Sequence, residues 1–214
     1  MENNRKRLLL IGGGGHFRSV LDSLRSAGEP YELGLIDPGG QDLPDCPIVG
    51  CDDDLPQRFR EGWNYAFITV GSVGSTALRR RLFSMVRQIG FQIPNIIDPS
   101  AILAKDVILG GGVFVGKRAV INANVTIGQG SIVNTGAIIE HDCLVGEYSH
   151  ISPGSVLCGG VCLGRDVHVG AGSVIRQQIS VGDRCLIGLG SIVVKDIPAQ
   201  MLAYGTPCEV VKEL

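Results

Sequence analysis

A chain of 214 residues, 44% of them hydrophobic, has room for one or two packed domains with a substantial core. A net charge of −2 leaves no basic footprint for nucleic acid, and no run of about 18 apolar residues is present to insert into a membrane. Its 31 glycines follow no three-residue period, which excludes a collagen-like chain.

The first element is the apolar run Leu8–Ile11, a short strand, followed at once by Gly12-Gly-Gly-Gly-His16 and a helical pattern to about Ala27. The residues before Leu8 reach this glycine loop too soon to form a secretory leader, so a cytoplasmic location is expected. Leu33–Asp37 reads as a second strand, Tyr65–Val70 as a third and Ala77–Ile89 as a second helix; strands alternating with helices predict a small parallel sheet. A glycine turn between strand and helix lets a ligand approach the backbone, and the helix start offers N–H groups to phosphate. The strict G-x-G-x-x-G spacing fails, because its last glycine falls at Phe17. Asp37 ends the second strand, where a carboxylate takes ribose hydroxyls or merely caps a tight turn; Gly71-Ser72 follows the third strand directly. The basic runs Arg5-Lys6-Arg7 and Arg79-Arg80-Arg81 read as solvated surface.

After Pro94 the pattern changes to a period of six that runs without a break from Ile97 to Pro198. The first position of all seventeen hexads, from Ile97 to Val193, is Ile, Leu or Val, and the fifth is small or aliphatic. Such a period belongs to a solenoid whose units bury their side chains against the units above and below. Three hexads close one triangular coil, with the first and fifth positions inward and Gly or Asn, common at the second, expected to supply positive φ at a corner. The organisation expected is an α/β domain over residues 1–96, an all-β prism over 97–198 and a tail over 199–214. Outward sixth-position residues Ile108, Val120, Ile132, Ile138, Val156 and Val174 are too many apolar groups for an unpartnered surface.

Seven cysteines have no zinc-site spacing, and Cys143 and Cys185 fall on inward positions, so neither disulfides nor a metal are expected. Of four histidines, His141 is third in its hexad and points outward between Glu140 and Asp142. A histidine beside carboxylates is held in one tautomer and made a better base, although an outward histidine is also ordinary surface. His150 and His168, eighteen residues apart, stack on one corner, with His141 on the preceding face.

The hexad repeat resembles that of the hexapeptide-repeat acyltransferases, whose prism is a left-handed parallel β-helix. Joined to Gly15-His16, the stretch from Asn134 to His150 around Glu140-His141-Asp142 resembles more narrowly the bacterial nucleotide-sugar acetyltransferases, a group that includes the UDP-4-amino-sugar N-acetyltransferases, the perosamine N-acetyltransferases and the sialic-acid O-acetyltransferases. The resemblance implies transfer of acetyl from acetyl-CoA to the amine of a UDP-linked amino sugar in cell-surface glycan biosynthesis, by direct attack and within a homotrimer. It makes His141 the general base and Asp142 its orienting partner. It gives His150 the thioester carbonyl, Gly159, Ala171 and Leu189 the coenzyme, Gly14, Gly15, His16, Asp37 and Gly71 the nucleotide, and Asn134 the sugar. Asp142 stands where some relatives have the longer Glu, and Leu189 where some have a smaller residue. Three other readings stay open: an O-acetyltransferase of sialic acid or a capsule sugar, a metal enzyme of the carbonic-anhydrase kind on the same prism, and a solenoid without catalysis.

Overall fold

The computed structural model describes residues 6–28 and 31–214; Met1–Arg5, with the first arginine of the amino-terminal basic run, lie outside the described residues. The chain divides into two compact units, one of Met1–Gly71 with Ala77–Pro94 and one of Ser72–Thr76 with Asn95–Leu214.

In the first unit, strands β1 (Lys6–Ile11), β2 (Tyr31–Ile36), β3 (Ile48–Gly50) and β4 (Tyr65–Ile68) form a parallel sheet in the order β3-β2-β1-β4. Strand β1 pairs with β2 and β4 on its two edges, and Leu8, Leu9 and Leu10 are all fully buried. A strand covered on both faces reads as a continuous apolar run, which is why Leu8–Ile11 was legible. Helix α1 (Gly15–Ala27) buries Phe17, Val20, Leu21 and Leu24, the stripe of a helix facing a core, and ends at Gly28 in the left-handed conformation. A short helix α2 (Leu55–Arg60) follows a 3-10 turn at Asp52–Asp54, and α3 (Ala77–Ile89) has the bounds read from the sequence. Two elements were not foreseen. Strand β3 has only three residues, and α2 only six.

Arg79 corrects the reading of the arginine run: it is 3% exposed, because positions 79, 82, 83 and 86 form the buried stripe of α3.

The second unit is a left-handed parallel β-helix. Each hexad gives a two-residue strand from its sixth and following first positions, and strands eighteen residues apart pair in parallel, as in Ile138↔Val156 and His150↔His168. Three ladders result, and the first and fifth positions fill the interior. Interior serines are satisfied across coils: Ser149 Oγ donates to the Gly164 carbonyl at 2.9 Å and Ser155 Oγ to Gly170 at 2.8 Å.

The corner chemistry differs from expectation. Left-handed φ falls on every fourth position from Gly112 to Gly190, including Arg118, Asn124, Asp142 and Tyr148, and not on the second. Second-position glycine serves close stacking instead: a Cβ at Gly128 would lie 2.5 Å from the backbone N of Glu147 in the next coil. The outward sixth positions also divide. Ile108 is 63% exposed, but Ile132, between Phe114 and His150 in its ladder, is 3% exposed because these larger neighbours flank it.

Residues 201–213 close the unit: Met201–Gly205 extends the His150–His168 ladder, and Cys208–Glu213 folds back antiparallel on it. Ser72–Thr76 belongs to this unit through the Thr76 hydroxyl, which donates to Asp166, and through Ser72, whose carbonyl faces His150.

Candidate active site

On the prism, His141 sits at a corner rather than on a face, third in its hexad and one residue before the left-handed Asp142 (φ 62°). That backbone turn brings the neighbouring carboxylate onto the imidazole, and Nδ1 lies 2.8 Å from Asp142 Oδ2. A carboxylate at Nδ1 selects the tautomer that carries its proton there and leaves the Nε2 lone pair available. The other oxygen of Asp142 accepts from Asn124 Nδ2 at 2.7 Å, one coil away. The hydrogen bond to Asp142, and then the charges of Asp142 and Glu140, raise His141 above the ordinary imidazole range. The bonds from Asn124 and His141 hold Asp142 below the usual carboxylate range. Both side chains are more than half exposed, so the polarity of this chain of contacts matters more than its contribution to stability.

Gly159 lies one coil beyond His141 on the same corner. Its missing Cβ would stand 2.7 Å from both Cε1 and Nε2 of the imidazole, so the absence of a side chain makes room for the ring. Asn124 and the steric role of Gly159 were not foreseen. The signal was present: both lie eighteen residues from the Asp142-His141 pair, the stride of one coil.

His150 and His168 stack, but on a strand ladder rather than at a corner, with ring centroids 4.9 Å apart and planes perpendicular. His150 Nδ1 is 3.3 Å from the Ser72 carbonyl and Nε2 is 3.2 Å from Asn134 Nδ2. The carbonyl selects a proton on Nδ1, which leaves Nε2 to accept from the Asn134 amide. Asn134 is thus placed beside His150, its own Oδ1 fixed by the Thr135 N–H at 2.8 Å. Ala171 and the 81% exposed Leu189 occupy a different corner column from His141, linked one coil apart by Gly190 N–H to the Ala171 carbonyl at 2.9 Å. Burial pushes the Cys143 thiol up to about 11, so it is no ready nucleophile. Among the described residues, no group of three or more His, Cys, Asp or Glu is arranged to hold a metal ion.

In the first unit, the loop after β1 turns at Gly12 (φ 102°), whose N–H reaches the Ile36 carbonyl at 3.1 Å. Asp37 receives Gly13 N–H on Oδ2 at 2.7 Å and Gly39 N–H on Oδ1 at 2.9 Å, so it does brace a turn. It also lines a cavity of about 500 Å³ at the carboxyl ends of β1, β2 and β4, shared with Gly12, Pro38, Asp52, Arg81 and Met85. A carboxylate oxygen has lone pairs for more than one donor, so the turn role leaves acceptor capacity facing the cavity. Gly14 is the N-cap of α1 and makes no side-chain cap, and a Cβ on Gly14 or Gly15 would meet nothing within 4 Å. Gly71 packs on His16, where its Cβ would lie 3.4 Å from that of the histidine. Burial, then Arg79, lowers His16 to about 4, so it is neutral. Asp52, Asp53 and Arg81 of the cavity carried no readable motif.

The PglD N-terminal domain family matches residues 7–86. The bacterial transferase hexapeptide repeat matches residues 124–159 and 142–177, and the hexapeptide repeat of succinyl-transferase matches 106–140 and 178–197. A mutant of perosamine N-acetyltransferase from Caulobacter crescentus, in complex with CoA and GDP-perosamine, is 35% identical with a TM-score of 0.89, covering 96% of this chain and 97% of that one. The acetyltransferase domain of PglB from Neisseria gonorrhoeae, in complex with acetyl coenzyme A, is 31% identical with a TM-score of 0.90, covering 97% and 100%. WeeI from Acinetobacter baumannii, 21% identical with a TM-score of 0.84 over 96% and 100%, shares the fold. Among curated protein sequences nothing matches.

A prism of hexads and the kinship of its repeats place the chain among the hexapeptide-repeat acyltransferases, and it is an enzyme of that class. The α/β unit narrows this further: the chain belongs to the bacterial sugar acetyltransferases with a PglD-type N-terminal domain.

Proposed function

We propose that the protein transfers acetyl from acetyl-CoA to the amine of a nucleotide-linked amino sugar, with His141 as general base. The observation that carries this reading is the chain Asn124–Asp142–His141, which fixes Nδ1 and leaves Nε2 as the base. A sugar ammonium is no nucleophile, and Nε2 takes the proton that must leave before or during attack. The amine nitrogen then bonds to the thioester carbonyl carbon, the tetrahedral oxyanion collapses, the C–S bond breaks, and the proton passes to the departing thiolate. No acyl-enzyme is needed.

The oxyanion requires a donor. His150 fills that role only with Nε2 protonated, since the neutral tautomer accepts from Asn134 there. Gly159, Ala171 and Leu189 are the proposed coenzyme contacts. Gly14, Gly15, His16, Asp37 and Gly71 are those for the nucleotide, and Asn134 that for the sugar. The domain roles divide accordingly, with residues 1–96 binding nucleotide and 97–198 carrying the transfer. The UDP-sugar implied by resemblance and the GDP-perosamine bound by the Caulobacter relative differ in the base.

The working form proposed is a homotrimer. One ladder of the prism presents Ile102, Val120, Ile138, Val156, Val174 and Ile192 outward, the first 65% exposed and the rest half-buried. Covering such a ladder with a second copy removes apolar surface worth about 25 cal/mol per Å².

The test is thiol release from acetyl-CoA against nucleotide-linked amino sugars and free sialic acid, with mass spectrometry locating the acetyl group. Acetylation of a sugar amine that falls about 10²- to 10⁴-fold in His141→Ala supports the proposal. Acetylation of a hydroxyl, or unchanged turnover in the variant, overturns it.

A further inference from the structure

We propose that the cavity beside Asp37 reads the base of the nucleotide and that it is built for guanine, with Arg81 and Asp52 as the reading pair. This rests on the nucleotide-sugar reading above and adds what that reading leaves open. The cavity, about 500 Å³, falls in the usual size range of small-molecule sites, and Pro38, Leu78, Leu82 and Met85 give it apolar walls for the faces of a planar ring. Its polar edge is made by Asp52, Asp53 and Arg81.

The polar edge has a direction. Of the three successive aspartates, Asp54 is spent locally, its Oδ2 accepting the Cys51 N–H at 2.8 Å. Asp52 and Asp53 line the cavity, and Arg81 Nη2 stands 3.6 Å from Asp52 Oδ2. That separation is an ion pair rather than a closed hydrogen bond, and both side chains are well exposed, so a third group can be shared between them. The pair offers donors beside acceptors. Guanine presents the complement on its Watson–Crick edge: the O6 acceptor beside the N1–H and N2–H donors, with the two N–H groups spaced for one carboxylate. Uracil carries its single N–H between two carbonyl acceptors, so a carboxylate taking that proton also faces a carbonyl oxygen. Adenine has no ring N–H on this edge. A base bound here against the carboxylates is therefore selected by what it donates, and guanine donates most.

The test is calorimetric titration of the full-length protein with GDP, UDP, ADP and CDP. The expected result is GDP binding about tenfold or more tighter than UDP, the worth of one hydrogen bond to a charged group. In Asp52→Ala, with folding checked by circular dichroism, the preference for GDP over UDP should fall about tenfold. UDP binding as tightly as GDP in the wild-type chain would overturn the guanine reading and leave a nucleotide site standing. Equal weakening of GDP and UDP in Asp52→Ala would remove Asp52 as a base reader. Failure of all four to bind would overturn the nucleotide reading itself.

Discussion

Replacing Gly159 with alanine puts a methyl carbon 2.7 Å from both Cε1 and Nε2 of His141. Carbon atoms at rest stand about 3.5–4.0 Å apart, so the imidazole has to retreat by roughly 1 Å. The His141 backbone resists, because its carbonyl accepts the Gly160 N–H at 2.8 Å and holds the two coils together. The ring, more than half exposed, is free to turn instead, and turning carries Nδ1 off Asp142 from its present 2.8 Å. A displacement of about 1 Å exceeds hydrogen-bond tolerance and misplaces the base, which costs turnover on the order of 10²-fold. Gly159 is not among the positive-φ residues, so alanine meets no backbone strain, and a lost glycine stabilises by about 0.4–1 kcal/mol where the conformation allows. The signature expected is therefore a fall in kcat with an unchanged or slightly raised Tm. Thiol release at saturating substrates gives the first quantity and a thermal melt the second. Full kcat would refute the reasoning, and a defect confined to KM for acetyl-CoA would leave Gly159 its proposed coenzyme contact without the role of making room for His141.

Asn124 has φ 58°, a conformation glycine adopts freely, so Asn124→Gly should keep or raise Tm while lowering kcat about tenfold through the lost bond to Asp142; unchanged kcat refutes that role. Because Asp142 and Glu140 raise His141, the base is protonated and inactive at low pH, and the acid limb of the kcat/KM profile should lie above about 6.5 and move down in Asp142→Asn. A Cβ at Gly14 would meet nothing within 4 Å, so Gly14→Val should cost the free protein only the loss of a favoured N-cap residue, about 1 kcal/mol, while weakening nucleotide-sugar binding more than acetyl-CoA binding, as a thermal melt and calorimetry with each ligand would show. Light scattering at micromolar concentration should give about three times the 22.7 kDa chain mass; a fully active monomer would refute the interface.

The prism was legible because one constraint repeats: two inward residues per hexad, coil after coil, make the register visible without any knowledge of distant contacts. The same regularity misled in one respect. Second-position glycines invited a conformational explanation, whereas a Cβ there would run into the backbone of the next coil and the left-handed residue falls two positions later. The α/β unit offers no such stride. Its cavity is assembled from Asp37, Asp52 and Arg81 on three separate segments, and the run Arg79-Arg80-Arg81 hides one buried and one cavity-lining residue behind identical letters. Only the helical period, which puts position 79 in line with 82, 83 and 86, separates them.

That contrast gives the corner its logic. In a solenoid of eighteen-residue coils, whatever flanks a side chain above and below is found one stride away, so His141 is bounded by Gly159 and its Asp142 by Asn124. The first gives the ring space and the second holds the carboxylate that aims it. Asp142 is one methylene shorter than glutamate, and its left-handed backbone returns the short side chain to the imidazole of the preceding residue. With one oxygen on His141 and the other on Asn124, the carboxylate has no rotation left that improves either bond. The imidazole is therefore oriented before any substrate arrives, which is the condition under which the proposed general base would contribute most.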